Sequence, residues 1–443
     1  MIRRTCMNCG GQQLYKFLDL GHQPNGNNFL YACEVDTEPW FPLSMLVCED
    51  CWQVQIAEFP SPEFMFSNHP YITGVNAPVI KHFAVLAPHV VSKLGLKRND
   101  LVIDIGCNDG SLLKCFADEG MRTLGVDPGV RTGELAREQG ITVFRQFWTH
   151  ETGKSLKQLG VQPNAITATA VFYHVPDLHN FVDGLIEVMG PETCFVVQGV
   201  NLRDLIEKNE FDHFYHEHSC IHSVAPLMRL FSTHGLRLQD IEMSPIHGGS
   251  FILYVVRKES ERPTTRAVDD ALAADRAAGL NRRETYDAFA ARVARNMDAL
   301  VELLRTLKEE GKKVYALGAP VKGSTLLNFG AIGPDLVPLA TEVNKFKIGR
   351  VTPGTHIPVV DETTLEAHPD YYLVLAWNFA DYLRKKYDDY LKKGGRFIVP
   401  VPELQVLGPI ECVGTREPAI GFGIADATNR RINDPAAAKL QIV

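Results

Sequence analysis

Residues 211–220, FDHFYHEHSC, place three histidines, one tyrosine and two acids within ten positions. Side chains of these types move protons or hold metals near neutral pH, and a solvated loop needs none of them at such density. His213, His216, Glu217 and His218 are metal-ligating types, yet their spacing follows no helical or ribbon ligand pattern. Taken alone, the stretch leaves a metal site, a proton-transfer site and a polar turn all open.

Cys6, Cys9, Cys48 and Cys51 form two CxxC pairs, CMNC and CEDC. Four thiolates close a tetrahedral shell around zinc and leave no open position, so the expected role is structural, with free core thiols as the plainer alternative. Cys33 lies between the pairs without a partner at that spacing and is expected to be buried. In LVIDIGCNDGSLL, an apolar run ending in Asp104, a turn through Gly106, Asn108 and Gly110, and a helical pattern beyond make the nucleoside loop of a doubly wound sheet. Asp127 follows Gly106 by 21 residues at the end of the next apolar run, where a carboxylate accepts bonds from both ribose hydroxyls. GxGxxG is absent and acid-x-Gly-x-x-x-Gly is present, which favours S-adenosylmethionine over a dinucleotide; a turn that binds nothing is the alternative. Further on, LGAPVKGS is another strand, Gly-rich turn and helix start, with Lys322 and Ser324 placed to meet a phosphate at the helix N-terminus. It does not match GxxxxGK[ST], which disfavours ATP hydrolysis.

The elements that must carry these residues follow from length and pattern. At 443 residues, 45% of them hydrophobic, the chain exceeds a single core. The expected fold is α/β in several parts. These are a zinc-binding N-terminal domain over residues 1–75, a Rossmann-like methyltransferase domain over 76–260, a helical connector over 261–310, and a C-terminal Rossmann-like substrate domain over 311–443. A net charge of -8 without long basic runs argues against nucleic-acid partners. There is no apolar run of the roughly 18 to 20 residues that a membrane span needs, and MIRRTCMNCG lacks the apolar segment of a signal peptide, so a cytoplasmic protein is expected. A monomer or weak homodimer is the expected state.

In their order and wording these motifs resemble the zinc-containing, three-domain nucleotide-sugar C-methyltransferases of branched deoxysugar synthesis. The resemblance rests on CMNCGG, LDLGHQPNGNNFL and FPLSMLVCEDCWQVQ, on DIGCNDGSLL, on FDHFYHEH and IHGGS, and on LGAPVKGSTLLNF, PGTHIPV and LAWNF, and it covers nearly the whole chain. It implies methyl transfer from S-adenosylmethionine to the carbon beside the keto group, C-3, of a nucleoside-diphosphate-4-keto-6-deoxy sugar. A C–H bond beside a ketone is a weak acid, so such an enzyme needs a base and a partner for the enolate oxygen, and needs no catalytic metal. By resemblance, Tyr215, Glu217 and His218, with Tyr71 of HPYITG and His174 of VFYHVPDL, line the sugar site. Tyr215 and His218 then handle the proton, His174 or Tyr71 bonds the keto oxygen, and Glu217 orients a histidine. His247, Lys322, Gly323, Ser324, Asn344, Trp377 and Asn378 are expected on the remainder of the substrate.

The chain departs from the family pattern at Gln198 and Gly199, where a glutamate and an apolar residue are usual, and at Thr341 and Glu342, where an aspartate is typical. These departures bear on sugar or base specificity. A zinc-containing RNA or protein methyltransferase would show a basic face and a target motif such as NPPY, and neither is visible. An oxidoreductase and a non-catalytic sugar-nucleotide binder are the other rivals, the first lacking GxGxxG and the second at odds with an intact Tyr215, Glu217 and His218.

Overall fold

The computed structural model describes residues 3–66 and 71–409, and its described strands form three sheets. The first is antiparallel. Strands Leu14–Pro24 and Trp40–Cys48 pair along their lengths, with Leu14 opposite Cys48 at one end and Pro24 opposite Trp40 at the other. The hairpin therefore runs from the cysteine pairs to a far tip. Val54–Ile56 extends the sheet, and its outer edge is closed by Cys220–Ile221, the residues that end the histidine-rich stretch. Cys33 is exposed rather than buried, because it falls in the turn region between the hairpin strands and outside the sheet.

The second sheet has seven strands. Its order is Leu236–Ser244, Ser250–Arg257, Cys194–Val200, Ala165–Thr169, Leu101–Ile105, Arg122–Val126 and Val143–Phe144. All are parallel except Ser250–Arg257, which runs antiparallel to both neighbours. The central strands are almost wholly buried, as expected for parallel strands covered by helices on both faces. Helix Ala77–Leu94 covers one face; Pro78 stands in its first turn and Gly95 closes it at φ +66°. Leu101–Ile105 and Ala165–Thr169 lie side by side where the strand order reverses, which opens a crevice at their carboxyl ends.

The third sheet repeats this logic with strands Val359–Asp361, Ala340–Glu342, Val314–Leu317, Tyr371–Val374, Arg396–Val399 and Gln405–Leu407, the last antiparallel. Its own reversal lies between Val314–Leu317 and Tyr371–Val374. Helix Arg283–Glu309 buries Tyr286, Phe289, Val293, Met297, Leu300, Leu304 and Leu307, a three-and-four spacing that makes one apolar stripe. Its other residues reach every part of the molecule. Arg283 pairs with Glu49, Arg292 donates to the Ile206 carbonyl, and Asn296 donates to the Pro400 carbonyl. The helix is thus a shared brace. Among the described residues no helix is long and apolar enough to cross a membrane.

Candidate active site

The four cysteines converge. Their sulfurs lie within 4.8 Å of one another, with Cys6–Cys51 and Cys9–Cys48 each at 3.6 Å. A tetrahedron with zinc–sulfur bonds of about 2.3 Å has edges of about 3.8 Å, so the set fits zinc and offers it no exchangeable position. Cys6, Cys48 and Cys51 are buried.

At the crevice of the seven-stranded sheet, the chain leaves strand Leu101–Ile105 through Gly106 at φ +70°. A Cβ there would stand 2.4 Å from Val171, so the glycine is required both by its backbone angle and by the loop behind it. Asp127 is buried; its carboxylate accepts from the Asn108 and Gly129 amides at 2.9 and 2.8 Å and from Thr132. Asp104 sits beneath the loop at 2.6 Å from Thr167 Oγ1, and burial pushes its carboxyl up to about 7, with the Asp127 charge adding to this. The Asn108 side chain donates to the Tyr71 carbonyl and accepts from the Thr73 amide, which pins residues 71–73 over the loop. Asp109, which the sequence did not single out, takes the Gly74 amide at 2.7 Å. The glycine turn, the acid on the second strand and this cover make a cradle of the kind that holds a nucleoside.

Residues 211–219 connect helix Leu202–Glu207 to the zinc-side strand Cys220–Ile221, and two phenylalanines anchor them. Phe214 packs edge-on against Phe17 and Phe289, and Phe211 against Phe329 of helix Val321–Phe329. The apolar residues of the stretch thereby grip the zinc module, the brace helix and the C-terminal domain, while Tyr215 and His218 face one another beside Tyr173 and His174. Tyr215 and His218 rings lie 3.9 Å apart, His174 and His218 5.1 Å, and Tyr173 and His218 4.5 Å. Burial pushes the Tyr215 phenol well above its ordinary range, with Glu217, Tyr173, Asp212 and Tyr71 adding to the effect. Tyr173 is raised for the same reason, with Tyr71 and Glu217 contributing. Both phenols therefore keep their protons at neutral pH.

His218 is oriented by the His213 carbonyl, which accepts from its Nδ1 at 2.6 Å. That bond places the proton of the neutral ring on Nδ1 and makes Nε2 the basic nitrogen. Glu217 accepts from Asn27 Nδ2 at 2.6 Å. His174 stacks on Phe66 at 5.5 Å. His216 turns toward the hairpin, with its Nε2 3.3 Å from the Pro42 carbonyl. The histidine-rich stretch thus spreads its ring nitrogens over several partners, and among the described residues the metal-type cluster is that of the four cysteines.

The expected substrate residues divide. Trp377 and Asn378 lie at the reversal of the third sheet and line a cavity of about 400 Å³, whose walls include Asn76, Lys208, Glu210 and Gly248, while Lys322 is buried behind Trp377. Lys322 Nζ sits 3.8 Å over the Trp377 ring, and Trp377 Nε1 donates to the buried Asp212 at 2.6 Å. Burial pushes Glu210 up to about 8, Lys322 opposing and Asp212 adding to the shift. Ser324 Oγ donates to the Gly26 carbonyl, Gly323 abuts Leu375, and Asn344 Oδ1 accepts from the Phe346 amide, so these three shape loops rather than face the cavity. His247 lies in the short helical turn Ile246–Gly248 at the cavity rim, and its side chain falls outside the described atoms. Gln198 accepts from His82 at 2.6 Å inside the core, and Glu342 takes the Ala319 amide at 3.0 Å, so both departures from the family pattern serve internal bonds. Sequence reasoning missed Tyr173 and Asn27. The first adjoins His174 but reads as a packing aromatic, and the second is far away in the chain.

Three family models match in chain order. They are described as "Putative zinc binding domain" over residues 6–66, "Methyltransferase domain" over 80–241 and "C-methyltransferase C-terminal domain" over 245–402. The chain is similar to the C-methyltransferase NovU of Streptomyces niveus, 32% identical over 405 residues, which cover 91% of this chain and 96% of that protein. Among solved structures, the magnesium protoporphyrin IX methyltransferase of Synechocystis PCC 6803 with bound SAH is 18% identical over 40% of this chain and 83% of its own, at a TM-score of 0.33. A SAM-dependent methyltransferase of Anabaena variabilis is 15% identical over 40% of this chain and 84% of its own, also at 0.33.

Proposed function

Because the chain belongs to the C-methyltransferase family that these models and NovU represent, and so is an S-adenosylmethionine-dependent C-methyltransferase with a zinc-binding module, we propose that it methylates the carbon beside the keto group of a nucleoside-diphosphate-4-keto-6-deoxy sugar. The observation that carries this reading is the ring of Tyr215, Tyr173 and His174 around His218, whose basic nitrogen is fixed by the His213 carbonyl. S-adenosylmethionine, which the Gly106 turn and Asp127 would hold, would supply an electrophilic methyl when bound.

The chain's own groups divide the remaining work. His218 Nε2 takes the proton from the carbon beside the ketone, because the Nδ1 bond to the His213 carbonyl makes Nε2 the unprotonated nitrogen of the neutral ring. Tyr215 and Tyr173, kept protonated by burial, donate to the oxygen that gains charge as the enolate forms. This supports a division in which the histidine is the base and a tyrosine the electrophilic partner. Tyr71, held over the cofactor loop by Asn108, closes the site on the cofactor side, and His174 borders it beside His218.

The non-reacting end of the substrate extends into the cavity beside Trp377 and Asn378. An anionic ligand tolerates that wall because burial holds the Glu210 carboxyl protonated near neutrality. The test is incubation with labelled S-adenosylmethionine and a panel of dTDP-, UDP-, GDP- and CDP-linked 4-keto-6-deoxy sugars, read by mass spectrometry. Gain of one methylene mass by one member supports the reading. Transfer of label to RNA or protein, with none to the panel, overturns it.

A further inference from the structure

The motif LDLGHQPNGNNFL has no part in zinc binding or in the cofactor cradle, yet its loop ends at the reaction centre. From the far tip of the hairpin the chain runs through residues 25–30, where Asn27 Nδ2 donates to Glu217 Oε1 at 2.6 Å. Glu217 is 3% exposed, and its charge is felt by Tyr215 and Tyr173 on one side and by Lys347 on the other.

The loop is held by the C-terminal domain at several points. Ser324 Oγ donates to the Gly26 carbonyl, Arg350 donates to the Phe29 carbonyl, Leu30 bridges to Val351, and Lys347 lies 4.6 Å over the Phe29 ring. Glycine at 26 suits this close approach, since a Cβ there would stand 3.0 Å from the Val321 side chain and 3.1 Å from its carbonyl. The Asn25 carbonyl and side chain take the Asn28 and Asn27 amides, which sets the turn that aims Asn27. A segment stapled this firmly delivers one amide donor to one buried carboxyl.

We propose that Asn27 is a positioning residue for the methyl transfer, acting through Glu217. The zinc module then contributes to the reaction from outside the cofactor domain, and the C-terminal domain fixes that contribution through Ser324 and Arg350. This inference rests on the reading of Glu217 as part of the reaction centre.

Two experiments separate the contact from the chemistry. In Asn27→Asp a second carboxyl faces Glu217 at hydrogen-bond distance, and two such groups in a buried site share a proton. Infrared difference spectra against wild type at neutral pH are expected to show a protonated carboxyl band, and that band should vanish in Asn27→Asp, Glu217→Gln, where an amide donor is restored. Absence of the band in the single variant overturns the pairing, and no substrate is required to see it.

Turnover then tests the role, on the acceptor that wild type methylates. Asn27→Ala is expected to lower kcat by roughly 10- to 100-fold, with the acceptor KM, S-adenosylmethionine affinity and zinc content each within about twofold of wild type. In a Glu217→Ala background the same change should cost less than about twofold, because its route to the chemistry is already cut. Losses that multiply in the double variant, or a loss of zinc or cofactor affinity in the single one, would overturn the assignment. If wild type methylates no member of the sugar panel, the substrate reading fails while the infrared result still decides the pair.

Discussion

Replacing Glu210 with glutamine removes one ionisable group at the wall between the methyltransferase and C-terminal domains while keeping its shape. Shape matters here, because a Cβ at Gly248 would lie 2.8 Å from both Glu210 carboxyl oxygens. Lys322, Asp212, Lys208, Asp204 and His213 are the charged and titratable neighbours of this carboxyl. Burial pushes it from the ordinary 4.5 up to about 8, so between those pH values the folded chain binds a proton that the unfolded chain has released. Stability from this group is therefore fully present below about 4.5 and is lost as pH rises toward about 8. A difference of about 3.5 pH units at about 1.4 kcal/mol each gives at most ~5 kcal/mol. Coupling to Asp212 and Lys322 spreads the proton over neighbours, so an observed value of about 2 to 5 kcal/mol is expected. Glutamine titrates nowhere in this range. Urea midpoints followed by tryptophan fluorescence, with Trp377 close to the change, should show Glu210→Gln gaining on wild type by that amount between pH 5 and pH 9. A difference between the two proteins that stays constant with pH would refute the argument, since it would mean that Glu210 ionises alike in folded and unfolded chains.

Tyr215→Phe and His218→Asn should each lower turnover by about 10² to 10⁴ with cofactor affinity nearly unchanged, and wild-type rates in the double variant would return the stretch to a structural role. Asp127→Ala should weaken S-adenosylmethionine binding by roughly 1.5 to 3 kcal/mol, measured by calorimetry; unchanged affinity would place the ribose elsewhere. Metal analysis of protein never exposed to chelator should find one zinc per chain on the four-cysteine cluster, and stripping it should lower turnover as well as loosen the hairpin that carries Asn27.

The parts legible in the sequence are those whose geometry is local. Gly106 must take a positive φ wherever that turn occurs, and the paired cysteines carry their spacing in the chain itself. The contacts between distant segments were not legible. Asn27 and Glu217 are 190 positions apart, and nothing in either neighbourhood names the other. Ser324 reads as a phosphate ligand because helix starts often hold anions, while its hydroxyl bond to the distant Gly26 carbonyl is not written in that motif. Cys33 shows the limit of composition: a lone apolar type was assigned to a core, and the fold places it on a turn outside the sheet.

The two phenylalanines of the histidine-rich stretch bear on how this architecture can change. Phe211 leans on the C-terminal domain and Phe214 on the zinc module and the brace helix. A transplant of the C-terminal domain from a relative with another substrate would therefore alter the footing of residues 211–219 along with the cavity. The portable unit of exchange is larger than a domain: it includes the loop 25–30, residues 211–219 and the face of helix Val321–Phe329 that meets them both. If the cavity takes the substrate as proposed, variation in substrate choice is easiest at its rim, around Asn76, Lys208 and Asn378, where side chains change without moving that footing.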